Sequence, residues 1–405
     1  MTTVGAEIKN MTLLSQHKLD GFGNGGEGLG LQVSSDGRRI LYIAHEQAPK
    51  DFTSVDVTDP KNPKMVVQTE LPHSDVRSNS LAVYEDLLLV AYQTSRPGLE
   101  PAGFGTYDIS DPENPKHISH FDASGPYSRG AHCLWFVDGK YAHVTTGAAD
   151  FQPGNQKDDQ FHMIVDMSDP TNPQEAGRWW LPGTRVGDSE DVPVRHEANL
   201  DTGFRLHNVN VYPERLDRAY MGYIDGGAII VDISDLSNPS MISRLDYHPP
   251  FPGFSHTALP LFDRNLMVVS DESVREDGSD HPKLVWIVDI RNEENPVIIS
   301  TLPLPPADNY LGRKGRFGAH NLHENMPVPT SFVSDTLIFG TYFNAGVRVH
   351  DITDPFRPEE VAYFVPEEAH EEKGININDV YVDENRLVYA IDRFAGGLYI
   401  LELNI

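Results

Sequence analysis

Four histidines of this chain stand in closely similar local frames: GAHC at His132, RLHN at His207, FSHT at His256 and GAHN at His320. Each is followed by a small or polar residue and then by the apolar/polar alternation of a strand, so the four imidazoles share one orientation. Neutral imidazoles gathered at one point have little reason to be there unless something binds between them, and a divalent transition metal is the simplest occupant. Imidazole suits Fe, Cu, Zn and Ni, and the scarcity of hard oxygen donors in these frames argues against Ca and Mg. The four residues are distant in the chain. They can meet only if a repeated fold brings equivalent positions together.

Such a repeat is present. A glycine turn, a short alternating strand and an acidic Pro-containing turn make DGGAIIVDISDLSNP at Asp225 to Pro239, and varied copies run from SVDVTDPKNP at Ser54 to VHDITDPFRP at Val349. The matching aspartates are Asp56, Asp108, Asp166, Asp232, Asp289 and Asp351, a spacing that stretches from 52 to 66 residues, as expected of one unit carrying loops of different length. An aspartate before Ser or Thr can satisfy turn amides with its side chain while Pro ends the strand, so these aspartates read as structural. The spacing predicts seven four-stranded units beginning near 26, 78, 131, 206, 255, 319 and 377, in one domain over 1–405. The seventh, RLVYAIDR with GLYILELNI, lacks a fourth strand. The segment MTLLSQHK from Met11 to Lys18 has the alternation to supply it, which would close a seven-bladed, all-β propeller and leave no open edge.

The VDIS-DP-x-NP unit resembles the LVIVD repeat along nearly the whole chain. That resemblance implies a propeller and implies almost nothing about a reaction, so function must come from the site.

In a propeller the first strand of every blade lines the central channel. The residues heading the seven first strands are Glu27, Asn79, His132, His207, His256, His320 and Asn378. Glu27 is either a fifth ligand or a group that orients an imidazole through its second nitrogen. Asn79 and Asn378 are expected to hydrogen-bond a bound water or substrate. Arg129 and Arg205 precede ring histidines by three and two residues, with Arg77 and Arg316 in similar places; they either hold a substrate carboxylate or pair with surface acids. His323 follows His320 by three places, on the opposite face or past the strand's bend. In the insertion Arg185 to Asn208, His196 and Glu197 have the residue types of an acid–base pair, against a solvent-exposed reading of His196. Tyr127, Tyr223, Phe254, Phe317 and Phe343 either give the mouth apolar walls or pack within blades.

Composition narrows the partners. Sixty acidic residues against 32 basic ones give a formal charge of −28, which argues against nucleic acid. Cys133 is the sole cysteine, so an intrachain disulfide is impossible. No window approaches 18 apolar residues and the N-terminus lacks a leader-like apolar run, making the cytoplasm the default location and a transmembrane segment unexpected. No GxSxG, HExxH or Walker signature occurs, and the glycine-rich GNGGEGLG precedes a strand, not a phosphate-binding helix.

A four-histidine ring in a seven-bladed propeller resembles the carotenoid-cleavage oxygenases in architecture and ligand type, which implies Fe(II) and dioxygen chemistry. The propellers of selenium-binding and methanethiol oxidase proteins are similar too, and imply copper. The leading expectation is a non-haem iron oxygenase of a small organic substrate, with Zn, Mn or Cu as other occupants and a homo-oligomer allowed. One alternative is a metal-dependent hydrolase or lyase with Glu27 or His196 moving the proton. Another is a non-enzymatic propeller scaffold that binds a protein or peptide.

Overall fold

The computed structural model describes residues 5–367 and 373–405. They form the expected seven-bladed β-propeller. Blade 1 comprises Gly25–Val33, Arg39–His45, Lys50–Asp56 and Lys64–Glu70, paired in that order, and blades 2 to 5 repeat the antiparallel meander. In blade 6 the inner segment is irregular but still pairs, His320 N–H donating to the Thr341 carbonyl at 3.0 Å and His323 N–H to the Phe339 carbonyl at 3.0 Å. Blade 7 contains Ile377–Val382, Leu387–Asp392 and Leu398–Leu403, and its fourth strand is Met11–His17 from the opposite end of the chain. The ring is closed by that pairing. One strand escaped the sequence pattern: Glu7–Lys9 lies outside Glu359–Val365 and adds an extra outer strand to blade 6. Three residues are too few to show a period.

Strand composition follows position in the blade. Leu266–Asp271, a second strand flanked by neighbouring blades on both faces, is buried at every residue. Lys116–Asp122, an outer strand, keeps exposed polar residues among half-buried ones. The repeated aspartates end the third strands and act as turn acceptors. A carboxylate oxygen of Asp56, Asp108, Asp166, Asp232, Asp289 and Asp351 accepts the amide two residues on at 2.7 to 3.0 Å.

Two glycines let the first strands converge. A Cβ on Gly26 would lie 2.5 Å from the Asn79 carbonyl oxygen and one on Gly28 would lie 2.3 Å from the Leu81 nitrogen. Only glycine allows blades 1 and 2 this close, and the contact holds Glu27 between them, its amide donating to the Asn79 carbonyl at 2.6 Å.

Candidate metal centre

The four imidazoles meet on the axis. His132 Nε2 and His207 Nε2 are 3.0 Å apart, and the rings of His207 and His256, and of His256 and His320, have centroids 3.8 and 4.6 Å apart. Glu27 sits among them, with Oε2 at 3.7, 3.8 and 3.8 Å from Nε2 of His132, His207 and His256, and Oε1 at 3.5 Å from His320 Nε2. A second carboxylate reaches the ring from the side: Glu272 lies 3.7 Å from His207 Nε2 and 3.6 Å from His320 Nε2.

The outward nitrogens are anchored, and the anchors set the tautomers. His320 Nδ1 is 2.7 Å from the Asn378 carbonyl, an acceptor only, so it carries the proton. His207 Nδ1 donates to Asn208 Oδ1 at 2.8 Å, the Asn208 amide being turned the other way to donate to Glu324 at 2.9 Å. His132 Nδ1 is nearest the acceptor Gln93 Oε1 at 3.1 Å, with the donors Arg77 Nη2 and Asn79 Nδ2 further off at 3.4 and 3.5 Å, and His256 Nδ1 lies 2.8 Å from the Thr257 hydroxyl. With Nδ1 carrying the proton on each ring, the Nε2 atoms of His132 and His207 are bare acceptors 3.0 Å apart on rings set at 89°, an arrangement that repels unless a proton or a metal cation joins them.

Burial favours the neutral ring. Loss of hydration, with the neighbouring imidazole adding to it, holds His132 well below the usual histidine range and His207 down to about 4. Burial alone would raise the Glu27 and Glu272 carboxyls, and positive charge beside them lowers both: a proton on His256 or His320 for Glu27, and a proton on His320 with the Arg316 guanidinium for Glu272, so the acids and the rings titrate as one cluster. Neutral imidazoles and ionised carboxylates are the forms that bind metal.

The donor set fits an ion. Ligand atoms about 2.1 Å from a transition metal stand roughly 3.0 Å apart at right angles and roughly 3.4 Å apart at tetrahedral angles. The closest separations here fall in or just beyond that range. Glu27 Oε2, His256 Nε2 and His320 Nε2 are buried without a hydrogen-bond partner among the described residues, although buried polar atoms are ordinarily paired. Cys133 belongs to the same neighbourhood, but its sulfur faces the outer nitrogen of His207 at 3.9 Å and donates to Asn208 Oδ1 at 3.3 Å. Burial pushes that thiol well up, so it stays protonated.

Other residues singled out in the sequence take varied places. Asn378 spends its amide on the Gly25 and Gly26 carbonyls at 3.2 and 2.8 Å, bracing the strand that carries Glu27. Asn79 brings Nδ2 to 3.5 Å from His132 Nδ1. Arg129, Arg205, Arg77 and Arg316 all line a cavity of about 350 Å³ that opens above the ring. Phe254 borders it, and Phe343 stacks on His320 at 4.5 Å. His323 is a packing residue, donating from Nε2 to the Phe332 carbonyl at 2.7 Å and accepting the Val382 amide at Nδ1. Tyr223 donates no contact to the mouth, its hydroxyl instead accepting the Leu181 amide; Phe317 stacks on Tyr310 and His281, and Tyr127 is exposed. His196 packs its ring on His248 at 5.1 Å, and Glu197 is exposed beside it in the insertion.

Several residues of the site lay outside the sequence argument; Arg275, Asp159 and Gln93 carry no sequence signal, and three others follow a pattern. Glu46, Glu272 and Arg393 each come immediately after a second strand, Arg39–His45, Leu266–Asp271 and Leu387–Asp392. Aligning only the heads of first strands passes over them. The exits of second strands reach the same end of the channel, and aligning those as well would have found all three.

Fold and site together define a seven-bladed propeller with a buried four-imidazole, two-carboxylate cluster on its axis. The LVIVD repeat model matches residues 158–179 and 217–246, parts of blades 3 and 4, a narrower span than the near-complete resemblance expected from the motif. No curated protein matches the sequence. Among solved structures, the chain is similar in fold to a protein from Lactobacillus plantarum (10% identity over 85% of this chain and 86% of that one, TM-score 0.57). It is also similar to the β-propeller domain of Myceliophteria thermophila Cps50 (Swd1), with 12% identity over 97% and 99% of the chains and a TM-score of 0.57. The periplasmic gluconolactonase PpgL of Pseudomonas aeruginosa matches at 10% identity over 93% and 88%, with a TM-score of 0.52. At these identities the likeness is one of fold.

Proposed function

We propose that this protein is a metal-dependent enzyme whose ion is held by His132, His207, His256, His320 and Glu27. The observation that carries the reading is the approach of His132 Nε2 and His207 Nε2 to 3.0 Å inside a ring of four buried imidazoles, with the nearest side-chain neighbour of each Nδ1 an acceptor oxygen. Bound there, Fe(II) supplies the redox chemistry by which dioxygen reacts with an organic molecule, whereas Zn(II) or Mn(II) supplies Lewis acidity for hydrolysis or elimination. Four imidazoles suit Fe, Cu and Zn alike; the resemblance to the four-histidine oxygenases puts Fe(II) first and makes oxygenation of a small organic substrate the leading reaction. The chain's own contributions are to bind that substrate in the cavity above the ring, to keep His132, His207 and His256 neutral by burial, and to exclude bulk water.

Hydrolysis or lysis is the second reading, favoured by Glu272. Its Oε2 stands beside the ring and its Oε1 is 2.9 Å from Arg316 at the cavity wall, where a carboxylate can accept a proton from a substrate or water. The shared fold with a gluconolactonase is compatible with this reading.

Metal analysis of untagged protein is expected to give about one Fe, Zn, Mn or Cu per chain. The double variant His207→Ala, His256→Ala should carry none. Full retention in that variant would refute the axial site, and oxygen consumption by the iron-loaded protein separates oxygenase from hydrolase.

A further inference from the structure

We infer that the cavity above the ring selects a small molecule carrying at least two negative charges on oxygen, a dicarboxylate or a phosphorylated compound. The inference deepens the proposed function, since it names the substrate class of the same site.

The cavity is lined by Arg77, Arg129, Arg205, Arg275, Arg316 and Arg393, six of the chain's 32 basic residues in one small space. In a protein of formal charge −28 this reverses the prevailing sign at one point. The acids near these arginines do not balance them. Arg77 and Arg393 both bond to the same oxygen of Glu46, while the other oxygen of that carboxylate has no hydrogen-bond partner. Arg129 grips Asp159 with two bonds, at 2.5 and 3.1 Å, and Arg316 donates to Glu272 at 2.9 Å.

Arg205 and Arg275 have no carboxylate within ion-pair distance among the described residues. Arg205 donates to Gln160 Oε1 at 3.0 Å and to the Thr202 carbonyl at 3.4 Å, and Arg275 donates to the Asn199 carbonyl at 2.7 Å. Counting Glu27, six guanidinium groups face four carboxylates, an excess of two positive charges that an axial divalent ion would enlarge. Arg205 is half-buried with only neutral acceptors at hydrogen-bond distance, and a bound anion would offset the cost of withdrawing that charge from water.

Position gives the arginines a use. Arg129 and Arg205 lie on the segments entering the strands that carry His132 and His207, so an oxyanion held by their planar forks leaves the remainder of the molecule directed at the ring. Phe254 and Val274 provide apolar wall for a short carbon skeleton. A volume of about 350 Å³ is at the small end of ligand sites and suits a metabolite-sized molecule.

The test is calorimetric titration of the full chain, both metal-loaded and EDTA-treated, with succinate, inorganic phosphate, acetate and glycerol. Succinate or phosphate should saturate with a Kd of about 1 mM or below and weaken as salt rises, with acetate at least about tenfold weaker and glycerol silent. The stronger of the two dianions identifies the source of the charge. The double variant Arg205→Gln, Arg275→Gln should lose about tenfold or more in affinity with metal content unchanged, and Arg205→Lys, which keeps the charge without the fork, should fall between. If the double variant melts below the parent, each single replacement is measured in its place. Absence of saturation by either dianion, or unchanged affinity in the glutamine variants, would overturn the inference. Anion binding by EDTA-treated protein that takes up no metal would instead sustain the inference and defeat the metal reading.

Discussion

Replacing His256 with leucine separates a metal ligand from a packing histidine because the two roles predict effects of opposite sign. In the metal-free protein His256 Nε2 is buried with no partner, and its ring packs between His207 and His320. Removing an unsatisfied buried polar group recovers about 1–3 kcal/mol, from which about 1 kcal/mol is lost with the Thr257 contact. The metal-free variant should therefore be as stable as the parent or up to about 2 kcal/mol more stable. With metal the order reverses. Four-ligand zinc sites bind with about 10–16 kcal/mol, so one ligand of such a set is worth about 3 kcal/mol, or roughly a hundredfold in Kd.

At a metal concentration of about 100 times the parent Kd, the parent gains about 2.7 kcal/mol and the variant about 0.4 kcal/mol. A chain of 405 residues has an unfolding entropy of roughly 0.85 kcal/mol/K, so the metal-induced rise in Tm should shrink from about 3 °C to about 0.5 °C. Differential scanning calorimetry with and without metal reads both numbers. An undiminished metal-induced rise, or equal destabilisation in both states, would show that His256 is only a packing residue.

Other perturbations test the frame around the site. Glu272→Gln should weaken metal binding by about tenfold and less than Glu27→Gln does, measured by competition with a chelating dye, because Glu272 braces the ring from the side. Deleting residues 1–17 removes the strand paired with Leu398–Leu403; size-exclusion chromatography should show association through the bared edge, and a monomer of unchanged Tm would contradict the closure. His196→Ala should leave metal content at the parent level, since His196 packs on His248 and makes no contact with the ring. Asp51, on the third strand of blade 1, gives a pH-dependent test. Burial, opposed by Tyr92, Ser78 and Tyr107, raises its carboxyl from 3.8 to about 7, so the fold favours the neutral acid. The stabilisation is complete below about 3.8 and is lost as the pH rises through about 7. Urea denaturation at pH 5 and pH 8 should show the parent losing up to a few kcal/mol relative to Asp51→Asn, and a pH-independent difference would refute the assignment.

Several features were legible in the sequence because they are local or periodic. The aspartate turns recur with a period long enough to hold four strands, and each aspartate acts within two residues of itself, so its role survives any tertiary arrangement. The missing fourth strand of the last unit and the alternation of Met11–His17 are complementary facts of composition. Seven equivalent strand heads follow from the repeat, and with them the four histidines and Glu27.

Tertiary structure decided everything that depends on distance between blades. Whether four imidazoles on one rim point at one another or past one another is set by the tilt and close approach of the first strands, which Gly26 and Gly28 permit against blade 2. The tautomers depend on partners such as Asn378 and Gln93, each on another blade. Glu46, Glu272 and Arg393 enter at the exits of second strands, where no motif marks them, and only ring closure brings Arg393 of the last blade to Glu46 of the first. Repetition along a chain encodes the shape of each blade, but the chemistry at the axis arises from side chains hundreds of residues apart, and their convergence is a property of the closed ring.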